Sequence, residues 1–242
     1  GLNMHQSLRS RLSGLMASDD DTALPASDRI YRVLRLAVRD LSLRPGEQLI
    51  DIDIAELFSV SKTPAREAFA RLQSDGLIEI RPKQGTYVRS IVLDEIIEAM
   101  RIREALEVVV TREAARRQTP NQKVRMEANL NAQSEAVTKD EPLLFNDLDN
   151  QFHDLLAEAS GYQRIPNLLH ATRLQIGRVR RLSAPIPGRT SRLLEQHRAI
   201  AQGVIAGNAV MAAEAMLAHM EEVFPMIEHI YATHPDAFGA SA

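Results

Sequence analysis

Four residues of this chain could hold a divalent metal ion. Asp149 and His153 stand four apart in a stretch of helical periodicity, so both project from one helical face. His197 opens a later helical segment, and His219 falls on the last long one. One carboxylate and three imidazoles are a donor set for Zn²⁺, Ni²⁺ or Mn²⁺, with one or two positions left for water or a ligand's carboxylate. Spacing alone leaves the ordinary reading open. An Asp and a His at i, i+4 are more often a surface or capping pair, and three distant histidines among seven can be combined freely.

A second group of residues could read nucleic acid. Lys62 and Arg66 are four apart after the tight Ser59-Val60-Ser61 turn, so both leave one helical face, and their charges suit phosphates or guanine edges. Ser61 and Thr63 can bond phosphate through hydroxyl and backbone N–H. Gly85, at a basic hairpin tip, permits a tight turn and close approach to a groove. Taken singly, Lys62 and Arg66 are solvated helix charges, and Arg66 could pair with an acidic neighbour. The arrangement of elements around them favours the nucleic-acid reading.

That arrangement runs from 27 to 92. Ile30, Val33, Leu34, Ala37 and Leu41 fall at helical spacing until Arg44-Pro45-Gly46 breaks the chain. Residues 48–50 suggest a short strand. Asp51 can cap a second helix, which buries Ile54, Ala55, Leu57 and Phe58. A third helix runs to Ser74 and ends at Asp75-Gly76. Residues 77–80 and 86–88 then alternate as two strands around 81–85. Three helices and a hairpin in about 65 residues form the winged helix-turn-helix layout. Residues 1–26, with the acidic run Asp19-Asp20-Asp21, read as a flexible N-terminal arm. From 93 to 235 helices are expected at 93–118, 120–138, 141–159, 164–182, 190–206 and 208–232, the last kinked at Pro225. Residues 236–242 read as a tail. The expected fold is therefore mainly α: an N-terminal winged helix-turn-helix followed by an all-α bundle.

Bulk properties agree. The 242 residues suffice for two domains, and 25% charged residues is ordinary for a globular chain. There is no cysteine, which excludes thiolate metal sites and disulfides and points to the cytoplasm. No apolar run reaches the length of a membrane span, and no signal peptide is evident. Net charge is −3, but residues 61–92 hold six Lys and Arg against three Asp and Glu, whereas 93–242 is acidic. Positive charge thus gathers where the recognition helix and wing are expected.

The head resembles the GntR family of bacterial regulators. The resemblance rests on Leu43-Arg44-Pro45-Gly46-Glu47, Ile54-Ala55-Glu56-Leu57, Val60-Ser61-Lys62-Thr63-Pro64-Ala65-Arg66-Glu67-Ala68 and Leu72-Gln73-Ser74-Asp75-Gly76-Leu77-Ile78, and runs over 29–91. It implies that Ser61, Lys62, Thr63 and Arg66 face operator DNA and that Gly85 belongs to the wing. Ile52 stands where many members have Arg, and Lys62 where many have Arg, so no base contact is carried to the second helix and Lys62 lacks a bidentate fork.

Residues 93–224 resemble the FadR C-terminal, or FCD, domain. Asp149-Asn150-Gln151-Phe152-His153, Arg103-Glu104-Ala105-Leu106-Glu107 and the stretch from His197 to His219 carry this likeness. It implies a helical bundle holding a divalent metal on Asp149, His153, His197 and His219. It also implies arginines for an acidic effector: Arg103, and Arg178 and Arg180 in a Gln-x-x-Arg-x-Arg pattern after Gln175. Arg103 could instead pair with Glu107 one turn on. The expected function is a homodimeric, sequence-specific transcription regulator, acting as a repressor on double-stranded DNA and controlled by a small organic acid. No catalytic residue is assigned. A metal-dependent hydrolase with a DNA-binding appendage is the rival reading, but no His-Glu-x-x-His helix or nucleophile elbow supports it. A nonspecific nucleoid-type binder is disfavoured by the net charge.

Overall fold

The computed structural model describes residues 2–17 and 23–239. The chain forms two compact units. One contains the residues up to Leu93 together with those from His234 onward, and the other is Asp94–Thr233.

In the first unit, helix α2 (Ala26–Arg39), strand β1 (Gln48–Leu49), helices α3 (Asp51–Leu57) and α4 (Lys62–Ser74), and strands β2 (Ile78–Arg81) and β3 (Gly85–Val88) follow one another. The three strands form an antiparallel sheet of order β1-β3-β2, with Ile78 opposite Val88 and Arg81 opposite Gly85. Ile30, Leu34, Leu43, Ile54, Leu72, Ile78 and Val88 make the core. Between α3 and α4 the chain turns through Ser59, which has positive φ, and the Val60 amide closes the turn on the Ala55 carbonyl at 2.9 Å. This is the winged helix-turn-helix expected.

Four local details differ from expectation. Asp51 is the first residue of α3 rather than its cap; Ile50 holds that position and contributes no side-chain bond. The Asp51 carboxylate accepts from Arg66 instead. Helix α1 (Leu2–Ala17) occupies much of the segment expected to be a flexible arm. Leu8 and Leu12, one turn apart, enter the core, and Arg11 forms a two-point ion pair with Glu47 at 2.6 and 2.9 Å. The acidic run at 19–21 lies outside the described residues. Residues 234–239 also return to this unit: the Ile91 amide donates to Ala237 at 3.0 Å and the Gly239 amide to Ile91 at 2.9 Å. Finally, Gly85 follows the wing tip rather than forming it. The left-handed residue of the tip is Lys83, while Gly85 has φ +128°, and a Cβ there would lie 2.7 Å from Gln48 Nε2.

The second unit is all helical, with α5 (Leu93–Arg117), α6 (Pro120–Thr138), α7 (Pro142–Ser160), α8 (Ile165–Ser183), α9 (Arg189–Ile205), α10 (Ala209–Glu221) and α11 (Val223–Thr233). Caps fix several ends. Thr119 and Gln122 form a capping box on α6, and Asn208 accepts from the Met211 amide on α10. Val110, Met126, Phe152, Leu156, Ile200, Val204 and Met216 form the central core. The expected final helix is split at Glu222. Pro225 has no N–H to offer the Glu221 carbonyl, so the ladder is interrupted one turn before the proline. The split leaves α10 and α11 free to take different directions.

Candidate functional site

Helix α7 carries Asp149 and His153, α9 carries His197 and α10 carries His219. All four are buried, and each offers a ligand atom within 4.8 Å of the others. The four residues singled out from sequence are therefore brought together. Close approach of α9 and α10 depends on Gly203, where a Cβ would stand 2.7 Å from the Ala212 amide nitrogen. The His197 ring is fixed by stacking on Phe152, with centroids 4.6 Å apart.

Each imidazole has its Nδ1 beside an oxygen outside the cluster, and those of His197 and His219 are hydrogen-bonded to it. His153 Nδ1 lies 3.0 Å from Glu107 Oε1 on α5. His197 Nδ1 lies 2.7 Å from Gln133 Oε1 on α6, and His219 Nδ1 lies 2.7 Å from Gln196 Oε1 on α9. Gln133 is oriented in turn, since its Nε2 donates to Asn129 Oδ1 at 2.7 Å and Asn129 donates to the Leu148 carbonyl. The glutamine oxygens accept, so Nδ1 carries the proton on His197 and His219 and their Nε2 atoms keep a lone pair. Both ring nitrogens of His153 and Nε2 of His197 are buried without a hydrogen-bond partner, His197 Nε2 standing 3.4 Å from Asp149 Oδ1.

Ionisation matches this arrangement. Burial lowers the His153 and His219 pKa values, with neighbouring histidines adding to the effect at His219. Burial alone would raise the Asp149 carboxyl, but Arg180 and His197 outweigh it and hold it well below the ordinary range. Glu107 behaves likewise: burial is opposed by His153 and Arg103, and its pKa falls to about 2. At neutral pH His153 and His219 are thus neutral imidazoles and Asp149 an ionised carboxylate, the protonation state a divalent cation requires. A lone-pair nitrogen buried without a donor carries a desolvation cost that a cation would remove. The residues fit a metal.

The cluster opens onto a cavity of about 360 Å³ whose wall includes Asp149, His219, Arg103 and Arg180. Arg103 Nε donates to Glu107 at 3.2 Å, and Arg180 Nη2 lies 2.6 Å from Asp149 Oδ2. Arg178 is buried but does not line the cavity. Residues two apart on a helix point nearly opposite ways, so Arg178 and Arg180 do not share a wall. Sequence reasoning missed Arg189 and Arg192, which do line it, and missed Gln133 and Gln196. An arginine straight after the Pro187-Gly188 break was the available signal for Arg189. Nothing local marks the two glutamines.

On α4, Ser61, Lys62, Thr63 and Arg66 are exposed, while Ala65, Ala68, Phe69 and Leu72 are buried. The Ser61 side chain makes no capping bond. Arg66 Nε donates to Asp51 at 2.6 Å, an acidic neighbour that leaves the side chain 67% exposed. Arg71 is turned away into a pair with Asp28, over the Tyr31 ring.

A winged helix-turn-helix joined to an all-helical unit defines a two-unit class of DNA-binding protein. Residues 26–88 match the bacterial regulatory proteins of the gntR family, and residues 98–222 match the FCD domain. The chain belongs to the GntR family and carries an FCD domain. The HTH-type transcriptional repressor RspR of Escherichia coli K12 is 31% identical over 214 residues, covering 88% of this chain and 94% of that one. Among solved structures, E. coli McbR/YncC superposes with a TM-score of 0.75 at 20% identity, over 86% of this chain and 99% of that one. A GntR-type regulator from Rhodococcus sp. RHA1 does so at 0.72 and 24%, over 85% and 98%. The chain is a transcription regulator, as its relatives are. Among the described residues no helix is long and apolar enough to cross a membrane.

Proposed function

We propose that the chain is a metal-dependent repressor that binds operator DNA as a homodimer and is controlled by a small organic acid. The carrying observation is the buried Asp149, His153, His197 and His219 cluster, with Nδ1 of His197 and His219 engaged elsewhere, opening onto an arginine-lined cavity. These four residues would hold a Zn²⁺, Ni²⁺ or Mn²⁺ ion, which supplies a Lewis-acidic anchor for a carboxylate. Arg103 and Arg180 stand on the same wall to orient the acid. Arg178, away from the cavity, serves packing rather than the effector.

On the DNA side, exposed Ser61, Lys62, Thr63 and Arg66 enter the major groove, with the wing around Gly85 alongside. Two such heads on a palindromic site gain by effective concentration, which favours a dimer. Repression is supported by the likeness to RspR, a transcriptional repressor. The acid changes operator affinity only through its differential affinity for two arrangements of the protein.

The test combines elemental analysis with DNA binding. One divalent metal per chain is expected, lost in the His153→Ala, His219→Ala double variant. On sites enriched from a random DNA pool, Arg66→Ala should weaken binding by about 1–3 kcal/mol, and Lys62→Ala should reduce the salt slope by about one. A metal-free protein, or Arg66→Ala with unchanged affinity at fixed salt, refutes the corresponding half of the proposal.

A further inference from the structure

The cavity holds more positive charge than one carboxylate can answer. Arg103 is matched by Glu107, and Arg192 at the exposed rim by Glu222 at 3.7 Å. Arg180 is matched by Asp149. Arg189 is different. Its polar contact is a donation from Nη1 to the neutral Asn146 Oδ1 at 3.1 Å, and among the described residues no carboxylate oxygen lies within ion-pair distance of it. Burial and repulsion from Arg180, only partly offset by Asp149, lower its pKa to about 10. A half-buried guanidinium facing another guanidinium, without a carboxylate of its own, is costly unless an anion joins it.

We propose that Arg189 forms a second anion subsite and that the effector is a dicarboxylic acid, one carboxylate at the Asp149 and His219 end of the cavity and the other on Arg189. This rests on the metal-anchored reading of the first carboxylate and adds the second. A divalent ion on Asp149 commits that carboxylate to the metal and leaves Arg180 without its counter-charge. Arg180, Arg189 and the residual charge of the metal and Asp149 pair then make three unanswered positive charges. A monocarboxylate leaves two of them and a dicarboxylate one.

The surroundings of Arg189 suit this role. Pro187, Gly188 and Arg189 form one stretch of the cavity wall, so the N-terminal end of α9 borders the same space. Gly188 holds the N-cap position in a left-handed conformation and contributes no side-chain cap. The partial positive charge of the helix end therefore adds to that of the guanidinium. The Arg189 fork is also geometrically matched to a carboxylate.

The experiment is calorimetry on metal-loaded protein with straight-chain acids of equal length, butanoate against butanedioate and pentanoate against pentanedioate. Wild type, Arg189→Gln and Arg189→Lys are compared. The better dicarboxylate should bind wild type at least tenfold more tightly than its monocarboxylate. In Arg189→Gln that ratio should fall toward one, with dicarboxylate affinity lost more than monocarboxylate affinity and metal content unchanged. Arg189→Lys should restore part of it, as charge without the planar fork. A wild-type ratio near one, or a ratio that survives in Arg189→Gln, overturns the proposal. Repeating the monocarboxylate titration on metal-stripped protein judges the underlying reading separately. If monocarboxylates bind equally with and without metal, the anchor is wrong even where the Arg189 ratio behaves as expected. Absence of binding by both series overturns both.

Discussion

Gln133 touches no proposed metal ligand atom, yet its substitution should be felt at the metal. It is buried, its Oε1 accepts from His197 Nδ1 at 2.7 Å, and its Nε2 donates to Asn129 at 2.7 Å. Gln133→Leu keeps nearly the same volume, so it opens little cavity. It does leave two buried groups unsatisfied, the His197 N–H and Asn129 Oδ1, each costing about 1–3 kcal/mol. The His197 ring also loses the contact that fixes its tautomer. Loss of such an outer partner typically weakens metal binding about 10- to 100-fold, or about 1.4–2.7 kcal/mol. Gln133→Glu separates the two effects, because it removes the donor to Asn129 but keeps an oxygen facing His197 Nδ1. Competition against a chelator of known affinity reads the metal, and denaturant unfolding of stripped protein reads the fold. Both variants should lose stability, and only Gln133→Leu should lose metal affinity. Equal affinity losses, or none, would refute the assignment of Gln133 as the residue that orients His197.

Two further outcomes follow from packing and charge. Gly203→Ala would place a Cβ 2.7 and 2.8 Å from the Ala212 backbone nitrogen and Cα, so α9 and α10 must separate. Unfolding should show a loss of about 1–3 kcal/mol, and metal affinity should fall because those helices carry His197 and His219. In the head, burial alone would raise the Glu47 carboxyl, but hydrogen bonds from Arg11 and the Arg44 amide outweigh it and leave its pKa below the ordinary value. A depressed carboxyl stabilises the fold above its unfolded pKa and loses that contribution as pH falls through the folded value. The stability difference between wild type and Arg11→Leu should therefore be about 1 kcal/mol at pH 7, given the partial exposure of the pair, and shrink toward pH 3. A difference independent of pH would assign Arg11 to packing alone.

Local information was easy to read and long-range information was not. The run Ser61 to Ala68 encodes both its turn and its amphipathic helix, so the exposed face of α4 could be named without a structure. Asp149 and His153 were linked by helical spacing, and the two distant histidines by likeness to a known domain. The acceptors that orient these rings were invisible, because Gln133 and His197 are 64 residues apart and a buried glutamine has no periodic signature. Arg178 and Arg180 were grouped by motif, although helical geometry separates residues two apart. Helix α1 was foreseen only as a short helix within a mobile arm, because Leu8 and Leu12 are a thin apolar stripe among serines and arginines. Pro225 was seen as a kink, but its effect falls a turn earlier, at the carbonyl it cannot reach.

The pairing of Ile91 with Ala237 and Gly239 makes the helical unit an insertion within the head rather than an appendage after it. Its two covalent connections, through the start of α5 and the end of α11, are pinned beside each other by two backbone hydrogen bonds. A fragment cut after Leu93 is therefore an incomplete head, with buried Ile91 stripped of both partners. Conversely, the inserted unit should tolerate excision or circular permutation with a short bridging linker, since its ends already meet. Any rearrangement of helices that pulls those ends apart must first open the two bonds at Ile91.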